Sequence, residues 1–401
     1  MEFPYISKEF DKSKPKDSVI QLLSDVFPPK KGFWDPQVKA VTEGTTNGLF
    51  KVTQYQANRA SSAPTGDPST DAFLVKIYGE GTETTIDRDK EISFHSTLSK
   101  NDLAPSLLAR FPNGHAYQFL PGKPCSVTDI TEERVWRGVA RELARWHAIL
   151  PVAEFDFGSN SDNKAGKIKT ILTHKPNVWS TAERWLKAIP ESTSQAIFKT
   201  GLLSDEFEYL IEKLRPDIGA ANQSFVFGHG DLLSGNIIIQ GPAKDPAGHV
   251  IESVKFIDYE HSTYCPRAFD LANHFSEWTG FECDYNLLPT TSTRHDFLRE
   301  YLRSYHSIKN QPGTQVDTIE VFEEKVSKLS SEVDSYRGFP GFYWGLCALI
   351  QAQASTGSID FDYAGYARLR FAEYRAWREE EDGTRDAKED MPLREKRWAA
   401  A

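Results

Sequence analysis

The chain has 401 residues, 39% of them hydrophobic, nine tryptophans and a net charge of −10. That length suits two domains or one large two-lobed one, and the acidic balance argues against a nucleic-acid partner, which needs a basic face. No apolar run reaches the roughly 18 residues of a membrane span, and the four cysteines show neither zinc spacing nor disulfide density.

Residues Met1 to Pro15 mix charges with prolines and lack the apolar stretch of a signal peptide, so a cytoplasmic protein is expected. Short strands are predicted at 37–43 and 49–55, around the turn Gly44-Thr45-Thr46-Asn47-Gly48. Such a turn can offer backbone N–H groups and hydroxyls to phosphates, although many hairpins look the same. Residues 56–71, rich in Ser, Ala, Pro, Asp and Gly, read as a long hairpin loop. The next segment, Ala72 to Tyr78, alternates as a strand should, with Phe73, Val75 and Ile77 on one face and Lys76 on the other. An ammonium in mid-strand requires a partner. On the helix predicted over 86–99, Glu91 falls on the same stripe as Phe94 and Leu98. One ion pair between Lys76 and Glu91 explains both charges and matches the Lys–Glu pair that positions ATP phosphates in kinases. The alternative is a snorkelling Lys76 and a solvated Glu91. Two further strands flank Pro112-Asn113-Gly114 and end at Gln118-Phe119.

Past Pro121 the pattern turns helical. Thr131-Glu132-Glu133 caps a helix whose Val135, Val139, Leu143, Trp146 and Leu150 recur every three to four residues. His147 on this helix reads as a packed or capping residue. More helices are predicted at 178–189, 203–214, 266–279, 294–308, 317–334, 340–355 and 362–379, and the charged stretch 380–401 is expected to fray. The expected organisation is α+β and bilobal: a small β-rich N-lobe over 20–120, a larger mainly helical C-lobe over 121–379, and a charged tail.

Within the helical part lies the run His229-Gly230-Asp231-Leu232-Leu233-Ser234-Gly235-Asn236, followed by the strand Ile237-Ile238-Ile239 and then by Phe256-Ile257-Asp258-Tyr259-Glu260. An Asp, an Asn five residues on and a second Asp after the next strand make the base-and-metal arrangement of phosphoryl transfer. Asp231 can accept a proton from a hydroxyl, while Asn236 and Asp258 can hold Mg²⁺ against phosphates. Two loop carboxylates capping nearby helices would be the bland alternative.

These segments resemble the choline/ethanolamine kinases. So do Leu74-Val75-Lys76-Ile77-Tyr78-Gly79, Ile86-Asp87-Arg88-Asp89-Lys90-Glu91, Ala268-Phe269-Asp270-Leu271-Ala272-Asn273-His274-Phe275 and Trp344-Gly345-Leu346-Cys347-Ala348-Leu349-Ile350-Gln351. The likeness runs in order from about residue 35 to 378. It implies the protein-kinase-like bilobal fold, ATP and Mg²⁺ as cofactors, and transfer of the γ-phosphate to the hydroxyl of a small amino alcohol. It also implies that Gln118 and Phe119 contact adenine, and that a homodimer is possible. The Ile86–Asp89 segment, Asp231-Leu232-Leu233, and Asp284-Tyr285 with Pro289 resemble the ethanolamine branch in particular. A choline or dual-specificity kinase is the nearest rival, and a catalytically silent nucleotide-binding regulator the rival from another class.

Three positions depart from the family pattern: Gly230 where Asn is usual, His261 where Tyr is common, and Cys347 where many members have Trp. On the alcohol side, Asp270, Asn273, His274 and Glu277 share a helix face, opposite Leu271, Phe275 and Trp278. Asp270 reads as a brace for the catalytic loop and Glu277 as the partner of an ammonium. Trp344 and Gln351, on one face with Cys347, complete the candidate alcohol-site group of Glu277, Trp278, Trp344 and Gln351.

Overall fold

The computed structural model describes residues 3–26, 36–41, 47–54, 72–150, 152, 176–193, 202–214, 225–310, 317–354, 361–385 and 390–401. Gly44, Thr45, Thr46 and the loop 56–71 lie outside them. The chain forms two compact units. One comprises Met1–Glu83, Ile92–Gly122 and Ser355–Phe361; the other comprises Thr84–Glu91, Lys123–Ala354 and Asp362–Ala401. Among the described residues no helix is long and apolar enough to cross a membrane.

The first unit is built on a five-stranded antiparallel sheet of β1 (Pro36–Val41), β2 (Gly48–Gln54), β3 (Ala72–Ile77), β4 (Leu107–Phe111) and β5 (Gly114–Gln118), in the order β1-β2-β3-β5-β4. In this register Lys76 sits between Leu49 and His115 and is only 6% exposed. The turn joining β4 to β5 requires glycine at position 114, because a Cβ there would lie 2.2 Å from the Lys76 carbonyl oxygen. Helix α1 (Pro15–Val26) was not among the expected elements. Its Val19, Leu22 and Leu23 recur at helical spacing and join Val52, Val75, Ile77, Phe111 and Ala116 in one apolar cluster. Helix α2 (Arg88–Lys100) follows β3.

The second unit opens on β6 (Lys123–Pro124) and α3 (Glu133–Ile149). The α3 stripe is buried as its spacing predicts, from Val135 through Trp146. Its N-cap, however, is Glu132, while Thr131 Oγ1 donates to the Thr128 carbonyl at 2.8 Å and closes a preceding 3-10 turn. Next come α4 (Val178–Ala188) and α5 (Leu203–Leu214). The chemistry-bearing segments follow on β7 (Phe225–Gly228), β8 (Ile237–Lys244), β9 (Val250–Phe256) and β10 (Thr263–Pro266). Strand β8 pairs with β6 and β9, and β7 pairs with β10. Helices α6 (Arg267–Glu277), α7 (Thr291–Lys309), α8 (Ile319–Tyr336), α9 (Phe339–Ala354), α10 (Tyr363–Glu381) and α11 (Leu393–Ala399) complete the unit.

Helix α11 corrects the expectation of a fraying tail. Trp398 is buried, its Nε1 donates to Asp334 Oδ1 at 2.9 Å, and the Arg294 guanidinium lies 4.0 Å above its ring. The many charges of this stretch signalled solvent, but Arg394 and Glu395 are buried in ion pairs instead.

Candidate active site

The loop that carries Asp231 leaves β7 at Gly228 and reaches β8 at Ile237, and α6 holds its first half, from His229 to Leu232. Asp270 accepts from the backbone N–H of His229 at 3.1 Å, from that of Gly230 at 2.9 Å and from His147 Nε2 at 3.0 Å. Asn273 donates from Nδ2 to the Gly230 carbonyl at 2.9 Å and accepts the Trp344 indole N–H at 2.8 Å. His274 donates from Nδ1 to the Leu232 carbonyl at 2.8 Å, leaving Nε2 to accept from Trp278 Nε1 at 3.2 Å. The polar stripe of α6 is therefore spent mainly on holding the loop, the role expected for Asp270. His147 is a packed histidine, as expected: with its Nε2–H given to Asp270, its Nδ1 accepts the Tyr301 hydroxyl at 2.8 Å.

His229, at the loop's start, donates from Nε2 to the Ile257 carbonyl at 3.0 Å and so ties the loop to the segment after β9 that carries Asp258. Burial pushes the His229 and His274 rings down to about 4, which keeps both neutral. Gly230 has φ +77°, and a Cβ on it would lie 2.4 Å from the His261 carbonyl oxygen. Its departure from the family pattern fits a backbone that crosses the turn before β10 too closely for most side chains.

At the loop's centre Asp231 is partly exposed. Asn236 donates from Nδ2 to the Asp231 carbonyl at 2.8 Å and to its Oδ2 at 3.4 Å. Asp258 follows Ile257, whose N–H reaches the Asn236 carbonyl at 3.0 Å, and it adopts φ +64°, a conformation few side chains take unforced. Ligand oxygens of Glu91, Asp258 and Glu260 lie within 4.8 Å of one another. Arg88 Nη1 bridges two of these acids, at 2.9 Å from both Glu91 Oε2 and Glu260 Oε2. Burial, then the charges of Glu277, Asp258 and Glu260, push the Asp231 carboxyl well above the usual carboxylate range. So much negative charge around one carboxyl suits a cation. Hard oxygen donors of this type suit Mg²⁺.

Sequence reasoning missed Arg88 as the partner of Glu91, although their spacing of three on one helix could have shown it, and missed Arg370 as the partner of Glu277, for which no local pattern exists. Arg370 Nη2 lies 3.1 Å from Glu277 Oε1, deep in the unit. On α9, Gln351 Nε2 donates to Thr85 Oγ1 at 2.8 Å, fixing the segment that leads into Arg88 and Glu91. Trp344 packs edge-on to His261, with ring centres 5.1 Å apart, and Cys347 is buried on the same helix. Trp278 is buried and engaged by His274. In the first unit, Lys51 Nζ stands 3.5 Å from the Phe119 ring centre, Gln118 is exposed, and Asn47 Oδ1 accepts from the Gly79 N–H at 3.4 Å.

Known proteins share this plan. A family model described as choline/ethanolamine kinase matches residues 38–375. The chain is 32% identical to mouse ethanolamine kinase 1 over 368 residues, covering 91% of this chain and 90% of that one. Among solved structures it is similar to the ethanolamine kinase of Plasmodium vivax, with a TM-score of 0.67, 23% identity and 93% of each chain covered. It is also similar to the choline kinase of Cryptosporidium parvum, with a TM-score of 0.64, 21% identity, and 92% of this chain and 97% of that one covered. At such identities the structural likeness speaks for the fold, the protein-kinase-like one.

Proposed function

The chain belongs to the choline/ethanolamine kinase family, and on that premise we propose that it transfers the γ-phosphate of ATP to the hydroxyl of ethanolamine. The observation that carries the chemistry is Asp231, a partly exposed carboxyl held by Asn236 beside further acids. In this mechanism Asp231 orients the alcohol hydroxyl and accepts its proton as the oxygen attacks phosphorus. Asn236 and Asp258 would hold Mg²⁺, which when bound neutralises charge on the β- and γ-phosphates. Asp270, Asn273 and His274 keep the base in place, and most of the rate comes from such positioning.

Lys76, buried in β3, is assigned to the α- and β-phosphates, with the turn 44–48 above them and Gln118 and Phe119 beside adenine. Glu91 is assigned to the orientation of Lys76, with Arg88 sharing its carboxylate. For the alcohol, Glu277 is the acid that faces the ammonium, with Trp278, Trp344 and Gln351 around it. A quaternary ammonium has no N–H donors and depends on aromatic faces, whereas a primary one can spend three hydrogen bonds on oxygens. Cys347, a thiol where many members carry an indole, therefore favours ethanolamine.

ADP release from Mg-ATP, compared with ethanolamine, choline and no alcohol, tests this directly. Strong preference for ethanolamine is expected. Preference for choline would overturn the substrate but keep the mechanism, and silence with both would overturn the function.

A further inference from the structure

Glu277 is one end of a series of alternating charges that runs to α11, all of it inside the second unit. Arg370 Nη2 lies 3.1 Å from Glu277 Oε1 and Arg370 Nε 3.5 Å from Glu373 Oε2, and Arg394 Nε stands 3.8 Å from that same Glu373 oxygen. The series continues through Glu395, 2.6 Å from Arg394 Nη1, to Arg337, 3.1 Å from Glu395, and to Glu381, 3.1 Å from Arg337. The inner four are deeply buried, with exposures of 4% for Glu277, 0% for Arg370, 3% for Glu373 and 2% for Arg394.

Stability is a poor reason to bury this set. Charges withdrawn from water recover their solvation only when pairing and hydrogen bonding are complete. Here they are not: Arg370 Nε and Nη1 and Glu373 Oε2 have no hydrogen-bond partner. Arg370 is thus shared between two carboxylates, bonded to Glu277 and at ion-pair distance from Glu373. The closer it is drawn to one, the less it holds the other. Arg394 competes from the far side for the same Glu373 oxygen.

We propose that Glu373 and Arg394 are positioning residues for the alcohol substrate: they set how firmly Arg370 occupies Glu277, and so how much of that carboxylate is available to the ammonium. The proposal rests on the assignment of Glu277 to the substrate ammonium. Its signature is a sign that alternates along the series. Without the Glu373 charge, Arg370 turns wholly to Glu277 and the ammonium is crowded out. Without the Arg394 charge, Glu373 draws Arg370 harder and Glu277 is released.

The test is steady-state kinetics of Glu373→Gln and Arg394→Gln in the full chain, each confirmed folded by thermal melting. For Glu373→Gln the KM for ethanolamine should rise about two- to tenfold, and for Arg394→Gln it should fall, on the scale of coupled charged neighbours. The KM for ATP should stay put in both. Mere loosening of the packing would move both variants the same way, so shifts in one direction, or none, would overturn the relay while leaving the kinase assignment intact. Should Arg394→Gln not fold, Glu373→Gln decides alone. It must weaken ethanolamine without weakening inhibition by the uncharged ethylene glycol, and equal weakening of the two overturns the proposal. If the wild type turns over choline instead, the same signs are required with choline. Silence of the wild type with both alcohols removes the function assignment and the relay together.

Discussion

Asp270 receives two backbone N–H groups and the His147 ring N–H, and a carboxylate has the lone pairs for all three. An amide does not. In Asp270→Asn one acceptor oxygen must serve three donors, and a new NH₂ faces donors it cannot bond. Because the loop carries Asp231, a displacement of even about 1 Å costs on the order of a hundredfold in rate. Asp270→Asn is therefore expected to lower kcat about a hundredfold with far smaller changes in KM. A kcat within a factor of ten of wild type would show that the loop holds itself. His274 adds a pH dependence. Its ring sits at about 4 in the folded protein, against roughly 6.5 in an unfolded chain. Between those values the unfolded chain binds a proton that the folded one refuses, so stability falls as pH drops from about 6.5 to about 4 and then levels off for this group. The loss is on the order of 3 kcal/mol. Urea unfolding at pH 7 and pH 4.5 should show a smaller difference for His274→Asn than for wild type. An equal difference would mean the ring is not held neutral.

The loop between β7 and β8 was legible as a motif because phosphoryl transfer needs few residue types at short spacing. Its geometry was not legible. Gly230 at φ +77° crosses His261 closely, and nothing in a one-dimensional pattern marks such a crossing. Gly230→Val combines a left-handed backbone with a β-branched clash and is expected to cost on the order of 2–3 kcal/mol and most of the activity. Gly230→Asn, the residue usual in the family, tolerates that φ better but still brings a Cβ to 2.4 Å from the His261 carbonyl. Melting temperature and kcat should both fall in the order Gly, Asn, Val, and a Val variant as active as the Asn one would refute the crossing. The amphipathic helices were readable for the opposite reason, that an apolar stripe is a periodic signal: α4, α5 and α10 fall within a few residues of their expected spans, as does α9, which is buried on every side from Phe339 to Gln351 and reads as one apolar run. Helix α1 carries a stripe no shorter than those of α4 and α5 and was missed beside the charges and prolines of the first fifteen residues, while α11 hides a buried tryptophan among charges. The Arg88 bridge to Glu260 and the Arg370 pairing escape because Glu260 and Glu277 are distant in sequence from the guanidiniums that hold them.

A net charge of −10 over the whole chain says little by itself, but its distribution does. In the second unit Asp231 stands in the field of Glu277, Asp258 and Glu260, with Glu91 gathered onto the last two. Arg88 and Arg370 offset part of that field and leave an excess of negative charge beside a base that must work ionised. A divalent cation at the proposed ligands Asn236 and Asp258 would remove the excess, so its binding and the folded state should support each other. Magnesium with ATP at about a hundred times the dissociation constant adds about 2.7 kcal/mol to the folded form. For a chain this long that corresponds to a rise of about 3–5 °C in Tm. Asp258→Asn removes the charged ligand and one of the repelling charges together, and keeps a side chain that tolerates φ +64°. The variant should melt no lower than wild type without magnesium, and it should lose most of the rise that magnesium brings. A rise as large as in wild type would place the cation elsewhere and take Asp258 out of the metal's reach.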